Sequence, residues 1–430
     1  MKKSFIEELT WRGMIHDLTP GLEEKLNSQI VIGYIGFDPT AKSLTLGNYI
    51  QFMLLTHFQR CGHKPIVLMG GATGRIGDPS GKDAERELKS YEELDDNLAF
   101  QVTQVKRLLD FDSKENGAVL VNNLDFYKDM NALTFLRDVG KHLTINYMMS
   151  KESVKRRIDI GMSYTEFSYQ LIQAYDFLRL YKDHGCILQM GGSDQWGNIT
   201  SGTEFIRRNV PNSDAYALTS VLLTKSDGKK FGKSEQGNIW LDPKMTTPYK
   251  FYQFWLNVDD GDLPKLYRYF SLLSRDEIEK LESEFQGNPN ALKANLGKEL
   301  TIRIHGQQAF DSARNVTEIL FNAKASKEQL YSLSQDDLQL VAEEIPSFQV
   351  PRGILDGGAN LIDVLSDFSS MLSSKSEARR AIQSNAIAVN KDKISDINAT
   401  LLTEHLLHDK YVMIENGKKN KYIIEFTVGS

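Results

Sequence analysis

Short apolar runs alternate with helix-like patterns along the first half of the chain, up to about residue 220. Four of these runs predict strands, at residues 30–35, 65–69, 118–121 and 186–188. Strands that alternate with helices form a parallel sheet, because each helical crossover returns the chain in the same direction. The pattern therefore predicts an α/β domain whose ligands bind at the carboxyl ends of the strands.

The pattern changes further along the chain. Residues 249–320 have helical periodicity, whereas the polar segment 325–358, with Pro346 and Pro351, predicts a small helix followed by a linker. Residues 360–426 predict two short helices followed by strands, with a turn at residues 415–419. We therefore expect four segments: an α/β domain (1–245), a helical domain (246–324), a linker (325–358) and a small α+β domain (359–430).

Composition excludes several classes of protein. The 430 residues carry a formal charge of −6, so broad coating of nucleic acid is excluded and any RNA contact must be local. Cys61 and Cys186 are the only cysteines and lack metal-ligand spacing, which is typical of a reducing cytoplasm. No apolar run approaches the roughly 20 residues of a membrane-spanning helix, so we expect no membrane contact.

Three segments suggest nucleotide chemistry. Residues 36–40 (Gly-Phe-Asp-Pro-Thr) follow a predicted strand and precede a helical pattern, as nucleotide-binding turns do. Residues 190–198 pair two glycines, which permit close backbone approach to a ligand, with an Asp and a Gln. Residues 230–234 (Lys-Phe-Gly-Lys-Ser) place two lysines where they could hold a polyphosphate, although such a string alone is usually a solvated loop. Together they predict activation of an amino acid by ATP.

Two further segments refine this hypothesis. The glycine-rich residues 70–82 are not a P-loop, because Ile76 stands where that motif has glycine and Asp83 where it has Ser or Thr. Tyr169, Gln173 and Asp176 share one face of a predicted helix, since they are spaced at i, i+4 and i+7.

The motifs, in their order along the chain, resemble those of the bacterial tyrosyl-tRNA synthetases, a family of class I aminoacyl-tRNA synthetases. The segments that carry this resemblance are residues 34–40, 70–82, 165–178, 191–198 and 230–234. The resemblance covers nearly the whole chain. It implies a Rossmann-like catalytic domain, an α-helical anticodon-binding domain, a C-terminal RNA-binding domain of the ribosomal-protein S-four type, and a cytoplasmic homodimer.

The family's activity would be that of a tyrosine–tRNA ligase. Such an enzyme activates L-tyrosine with ATP to tyrosyl-adenylate and pyrophosphate, and then transfers tyrosine to the 3′ end of tRNA(Tyr). Mg²⁺ is expected on ATP as part of the co-substrate, with no metal or organic cofactor held by the protein itself. Because the reaction is an in-line displacement, positioning and charge stabilisation are expected to do most of the catalysis.

The resemblance also implies roles for individual residues. The tyrosine-binding residues would be Tyr34, Asp78, Tyr169, Gln173, Asp176 and Gln195. The ATP-binding residues would be Gly36, Asp38, Gly47, Asn48, Gly192, Asp194 and Lys233. The catalytic residues would be Thr40, Thr45, Lys82, Arg86, Lys230 and Lys233. The tRNA-binding residues would be Arg379 and Arg380 on a short helix, with Lys391 and Lys393 in a hairpin, together forming a phosphate-binding patch.

One motif departs from the family. The signature His-x-Gly-His is replaced by Thr45-Leu46-Gly47-Asn48. Asn48 can donate to a ribose oxygen as an imidazole does, whereas Thr45 offers only one short hydroxyl, and Thr40 would then carry more of the γ-phosphate contact. The departure keeps open a non-catalytic, RNA-binding relative. A tryptophanyl relative or a small-molecule adenylyltransferase is the other alternative, which Tyr34 with Asp176 and the RNA-binding tail disfavour.

Overall fold

The computed structural model describes residues 4–80, 88–158, 161–224, 226, 228, 231–234, 237–322, 324–417 and 420–428. For residues 153, 156, 233 and 234 the description covers the backbone alone. Within these ranges, no helix combines the length and the apolar character needed to cross a membrane. The chain divides into two compact units, Met1–Thr247 with Phe254–Leu300, and Pro248–Gln253 with Thr301–Ser430.

The first unit is built on a six-stranded sheet. Its strands are β1 Ile15–Leu18, β2 Ile32–Phe37, β3 Lys64–Met69, β4 Val119–Asn122, β5 Leu188–Gly192 and β6 Tyr216–Ser220. Their order across the sheet is β1-β6-β5-β2-β3-β4, with β1 antiparallel to β6 and the other neighbours parallel. A short antiparallel ribbon follows, β7 Lys233–Ser234 with β8 Gly237–Asn238.

Helices surround this sheet and continue beyond it. Up to residue 305 they are α1 Phe5–Arg12, α2 Leu22–Ser28, α3 Leu46–Arg60, α4 Tyr91–Val105, α5 Ala132–Asp138, α6 Ile145–Met149, α7 Glu152–Ile158, α8 Tyr164–His184, α9 Trp196–Asn209, α10 Pro248–Leu256, α11 Leu263–Phe270, α12 Arg275–Glu284 and α13 Pro289–His305. Strands covered on both faces are mostly apolar, and every residue of β5 is buried.

The longest helix, α8, has clear start and stop signals. The Ser163 side chain accepts the backbone N–H of Glu166 (3.1 Å), which caps the first turn. Gly185 ends the helix in the left-handed conformation, with φ of 66°. Between these caps the helix is long enough to carry Tyr169, Gln173 and Asp176 along one side.

The strand order creates a crevice between β2 and β5. From β2 the chain winds outward through β3 to β4, and β5 then pairs with the opposite edge of β2. The loops that follow β2 and β5 therefore diverge, and α/β proteins bind their ligands at such a switch point. The geometry of the sheet alone thus selects one place for the site.

The second unit contains a smaller, mixed sheet. Its helices are α14 Gln307–Phe321, α15 Lys327–Tyr331, α16 Gln335–Glu344, α17 Leu361–Asp363 and α18 Lys375–Gln383. Its strands are β9 Ser347–Pro351, β10 Ala359–Asn360, β11 Ile387–Val389, β12 Asp392–Lys393, β13 Thr400–Leu401, β14 Tyr411–Asn416 and β15 Asn420–Thr427. The main sheet has the order β12-β11-β14-β15-β9, with only β9 parallel to its neighbour. Its apolar face packs with α18 into one core that includes Leu365, Ile382, Val412 and Ile424.

The predicted fold class is confirmed, and three local predictions differ from the structure. The sequence predicts a strand at residues 186–188, whereas β5 begins at Leu188. It ends at Gly192, because Gly191 and Gly192 continue the backbone ladder with β6. Glu415 and Asn416 of the predicted turn at 415–419 belong to β14, since they pair with Lys421 and Asn420 in β15, and residues 418 and 419 lie outside the described residues. The predicted linker contains α15, α16 and strand β9, which joins the sheet beside β15. The domain boundaries themselves remain a prediction.

Candidate active site

A cavity of about 300 Å³ lies at the crevice between β2 and β5. Residues from the ends of these strands, from α3 and from α8 line it. The residues predicted from the sequence that lie in this lining are Tyr34, Gly36, Asp38, Thr40, Gly47, Asn48, Asp78, Tyr169, Gln173, Asp176, Gly192, Asp194 and Gln195. Segments far apart in the chain thus meet at one cavity.

Asp176 is a buried carboxylate in this lining, with only 1% of the residue exposed. Its Oδ1 accepts a hydrogen bond from the Tyr127 hydroxyl (2.7 Å), and its Oδ2 accepts one from the Asn123 amide (2.9 Å). Burial raises the pKa of Asp176 from 3.8 to about 7, although these two hydrogen bonds act in the opposite direction. The group therefore titrates near neutral pH and remains able to accept further hydrogen bonds.

Tyr34 lines the same cavity from strand β2. Its ring packs against Phe177 with centroids 5.3 Å apart. Its hydroxyl is buried and has no hydrogen-bond partner among the described residues. Burial, together with the nearby Asp176, raises the pKa of Tyr34 well above 10, so the hydroxyl keeps its proton. A buried hydroxyl without a partner is costly, which favours a ligand that supplies one.

A chain of hydrogen bonds connects Asp176 with a second carboxylate, Asp38. Asn123 donates to the Thr73 hydroxyl (3.0 Å), and Thr73 donates to Asp38 Oδ1 (2.6 Å). The other Asp38 oxygen accepts from the Tyr169 hydroxyl (3.1 Å). Gly70 is needed beside this chain, because a Cβ atom there would lie 2.1 Å from Asp38 Oδ1. The network therefore connects two carboxylates that both line the cavity.

Asp78 forms a third polar centre, in the loop that follows β3. Gln195 donates to Asp78 Oδ2 (2.6 Å), and the Ser80 backbone donates to Asp78 Oδ1 (2.9 Å). Gln173 reaches the Gln195 side chain across 3.5 Å. Residues from the β3 loop, α8 and the β5 loop are therefore joined around one carboxylate, an arrangement suited to an ammonium group.

Thr45 and Asn48 bond to each other at the start of α3. The Thr45 hydroxyl donates to Asn48 Oδ1 (2.7 Å) and accepts the Asn48 backbone N–H (3.2 Å). The Thr45 backbone N–H also donates to Asn48 Oδ1 (2.9 Å). Because this atom accepts hydrogen bonds, it must be the oxygen of the Asn48 amide and not the nitrogen. This capping box uses the only hydroxyl proton of Thr45 and leaves the Asn48 Nδ2 group as the donor for the cavity.

The predicted cationic residues are less completely described. Lys82, Arg86 and Lys230 lie outside the described residues, and only the backbone of Lys233 is described, in β7. Between the two lysines, Gly232 has φ of 84°, and a Cβ atom there would lie 3.2 Å from the Gly47 nitrogen. The backbone at Gly232 thus lies against the start of α3.

The predicted tRNA-binding residues lie in the second unit. Arg379 and Arg380 are exposed on α18, and Lys393 is exposed on β12. Lys391 differs, because its ammonium pairs with Glu415 at 2.7 Å and its side chain is only 8% exposed. A phosphate contact would require Glu415 to release it, so its role stays a prediction.

Asn123, Thr73 and Tyr127 are cavity or network residues that the sequence interpretation missed. Asn123 directly follows β4, so the rule that ligands bind at the carboxyl ends of strands could have identified it. Nothing in the sequence marks Tyr127, which meets Asp176 only through the fold. Among the described residues no cluster of three or more His, Cys, Asp or Glu side chains could hold a metal.

Two family models match the chain. The family described as tRNA synthetases class I (W and Y) matches residues 27–322. The family described as Tyrosine--tRNA ligase SYY-like C-terminal domain matches residues 337–424. The two matches together cover both units of the structure.

Individual proteins are also similar. The chain is 51% identical over 426 residues to a Tyrosine--tRNA ligase of Amoebophilus asiaticus, covering 98% of this chain and 99% of that protein. It is 50% identical over 428 residues to a Tyrosine--tRNA ligase of Cytophaga hutchinsonii, covering 99% and 100%. Among solved structures, a C-terminally truncated Aspergillus nidulans mitochondrial tyrosyl-tRNA synthetase superposes with a TM-score of 0.66 at 31% identity, covering 74% of this chain and 94% of that one.

The raised pKa of Asp176 predicts how stability depends on pH. The folded protein holds a proton on Asp176 between about pH 4 and 7 that the unfolded chain has released, so this contribution to stability is lost as pH rises through 7. A change from 3.8 to about 7 is worth at most about 4 kcal/mol. The Asp176→Asn variant has no ionisable group at this position, so it should not show this loss of stability as pH rises. Urea unfolding of both proteins from pH 5 to 8 measures the difference, and parallel pH profiles would contradict the assignment.

Proposed function

The chain belongs to the tyrosine–tRNA ligases, a family of class I aminoacyl-tRNA synthetases, and on that basis we propose how its residues divide the reaction. The enzyme activates L-tyrosine with ATP and then charges a tRNA with it. The buried pair of Asp176 and the unpartnered Tyr34 hydroxyl supports this proposal most directly. Both residues line a cavity of about 300 Å³.

Asp176 and Tyr34 recognise the phenol of the substrate. The substrate hydroxyl donates to the Asp176 carboxylate and accepts from the Tyr34 hydroxyl, which satisfies both buried groups. Phenylalanine would leave the buried Tyr34 hydroxyl without a partner and would deprive Asp176 of one hydrogen bond, and this enzyme family is itself the usual example of such rejection. Tyr127 and Asn123 position the carboxylate by occupying one lone pair on each of its oxygens.

The other end of the amino acid is held by the polar groups around Asp78. The substrate ammonium binds the Asp78 carboxylate, with Tyr169 and Gln173 contributing from α8. Gln195, which bonds Asp78 at 2.6 Å, lies where the reacting carboxylate would be placed. The few directed polar contacts at the two ends of the tyrosine substrate fix both its position and its orientation in the cavity.

ATP lies across the carboxyl ends of β2 and β5. Gly36 and Gly192 permit close approach of the adenylate. Asp38, Asp194 and the Asn48 amide contact its ribose and flanking groups. Gly47, in the first turn of α3, lies beside them. The phosphates, with Mg²⁺ bound to them, extend toward Thr40 and the cations Lys82, Arg86, Lys230 and Lys233, and Thr45 joins these groups only if its hydroxyl releases Asn48. These groups stabilise charge that develops as pyrophosphate departs.

Both chemical steps are displacements without a covalent enzyme intermediate. In the first, a tyrosine carboxylate oxygen bonds to the α-phosphorus as the bond to the bridging oxygen of pyrophosphate breaks. In the second, a terminal ribose hydroxyl of the tRNA attacks the tyrosyl carbonyl, loses its proton and displaces AMP. Arg379, Arg380 and Lys393 hold the tRNA backbone through its phosphates, and Lys391 joins them if Glu415 releases it.

The proposal also includes a homodimer of this chain and a location in the cytoplasm. Six large apolar side chains on α5 to α8 have 40% or more of their surface exposed: Leu133, Leu136, Ile145, Met149, Ile158 and Tyr164. Exposed apolar groups at this density favour burial in an interface. The substrates, ATP and tRNA, and the two buried free cysteines fit the cytoplasm.

Exchange of labelled pyrophosphate into ATP tests the activity. With Mg²⁺ we expect exchange that requires L-tyrosine, and no signal above the blank without it would refute the proposal. Tyr34→Phe should lower kcat/KM for tyrosine by about tenfold, because one hydrogen bond to a buried phenol is lost. Tyr175→Phe removes a phenol from the same region but outside the cavity lining, and should leave exchange unchanged.

Light scattering tests the homodimer. The parent protein should have twice the chain mass of 48.8 kDa, and the double variant Leu133→Glu, Ile145→Glu should shift toward a single chain. A charge in a buried apolar interface is strongly unfavourable. Val428→Glu, at a side chain that is 78% exposed in the other unit, is the matched control. A single-chain mass for the parent would refute the dimer.

A further inference from the structure

Lys421 is a buried lysine on strand β15, with 9% of the residue exposed. Its ammonium donates to the backbone carbonyls of Ile319 and Leu320, the latter at 3.0 Å, in the last turn of α14. On its other side lies Glu415, at 3.9 Å. The side chain therefore joins the terminal sheet to the end of a helix more than 100 residues earlier in the chain.

The contact between Lys421 and α14 provides hydrogen-bond partners for the buried ammonium and for the last carbonyls of the helix. The last carbonyls of a helix have no partners within it and carry partial negative charge, so a cation is favoured there. Burial lowers the pKa of Lys421, as does the nearby Lys391, whereas Glu415 raises it. A buried ammonium that lost these carbonyls would be left with the distant Glu415 alone, which is costly. The contact is thus a specific junction rather than a surface ion pair.

Two further polar contacts join the segment that contains α15 and α16 to the terminal part of the second unit. His408 Nε2 donates to the Leu333 carbonyl between α15 and α16 (2.7 Å). Lys327, the first residue of α15, pairs with Asp392 on β12 at 2.5 Å. The segment predicted as a linker is therefore attached to the terminal sheet at several points within the second unit.

The sheet connects this junction directly to the predicted tRNA-binding face. Lys421 pairs with Glu415, Glu415 with Ala388, and Ala388 with Lys393, so the four residues form one row across β15, β14, β11 and β12. Hydrogen-bonded neighbours in a sheet lie about 4.8 Å apart. The backbone ladder therefore connects Lys421 with Lys393 in one row of paired residues.

We propose that Lys421 is a positioning residue for tRNA. It locks the terminal sheet onto α14, so that the helical segment and the exposed cations of the sheet meet the tRNA as one rigid body. This inference rests on the proposed charging activity. A preorganised pair of contact regions binds more tightly than two regions that move independently, because less freedom is lost on binding.

Lys421→Met tests the proposal in the full-length protein, since it keeps the apolar stem and removes the ammonium. We expect tyrosine-dependent pyrophosphate exchange to stay within about twofold of the parent, while the KM for tRNA in charging rises by about tenfold. Without tRNA, amide hydrogen exchange should become faster in peptides from the end of α14 and from β15. Lys421→Arg, which can still donate to the carbonyls, should restore both properties.

Lys410→Met is the matched control. Lys410 lies next to β14 and pairs with Glu425 of β15 at 2.7 Å, and among the described residues its ammonium forms no hydrogen bond to a helix end. It should leave the KM for tRNA unchanged. An unchanged KM for tRNA in Lys421→Met despite faster amide exchange would overturn the positioning role, as would parallel losses of pyrophosphate exchange and charging. A parent protein without tyrosine-dependent exchange would instead refute the proposed function, while the amide-exchange result would still report on the lock.

Discussion

The buried carboxylate of Asp176 is the interaction on which the site depends. A carboxylate that is 1% exposed is expensive to keep, and its pKa of about 7 reflects that cost. Tyr127 and Asn123 reduce the cost by donating one hydrogen bond to each oxygen. An apolar pocket would be cheaper but could not distinguish a phenol from a phenyl ring, so under the proposed function this cost is the physical basis of substrate choice.

The fold supplies this carboxylate with its neighbours. Asp176 comes from α8, Tyr34 from β2 and Asn123 from the end of β4, and the strand order brings these elements to one crevice. The bonds from Asn123 through Thr73 to Asp38 continue from the phenol end of the cavity to the side proposed for ATP. In the proposed function, one connected network would therefore hold both substrates.

Much of this arrangement follows from local sequence patterns. Apolar runs predicted the parallel strands, and the helical spacing of Tyr169, Gln173 and Asp176 placed them on one face of α8, where they line one cavity. The partners of Asp176 could not be predicted in the same way, because Tyr127 reaches it only through tertiary packing. The hydrogen bonds between Thr45 and Asn48 depend on side-chain conformations that their spacing does not specify. In the terminal sheet, the row from Lys421 to Lys393 depends on strand register, which single-sequence patterns leave open.

Proton release on tyrosine binding tests the central claim most directly. If the substrate phenol donates to the Asp176 carboxylate, binding stabilises its ionised form and lowers its pKa. Calorimetric titration of the full-length protein at pH 6.5, in buffers with different heats of ionisation, should then show release of more than about half a proton per bound tyrosine. Asp176→Asn should show no such release. Tyrosine binding by the parent without proton release would mean that Asp176 does not accept the phenol, and the account of substrate recognition would be wrong.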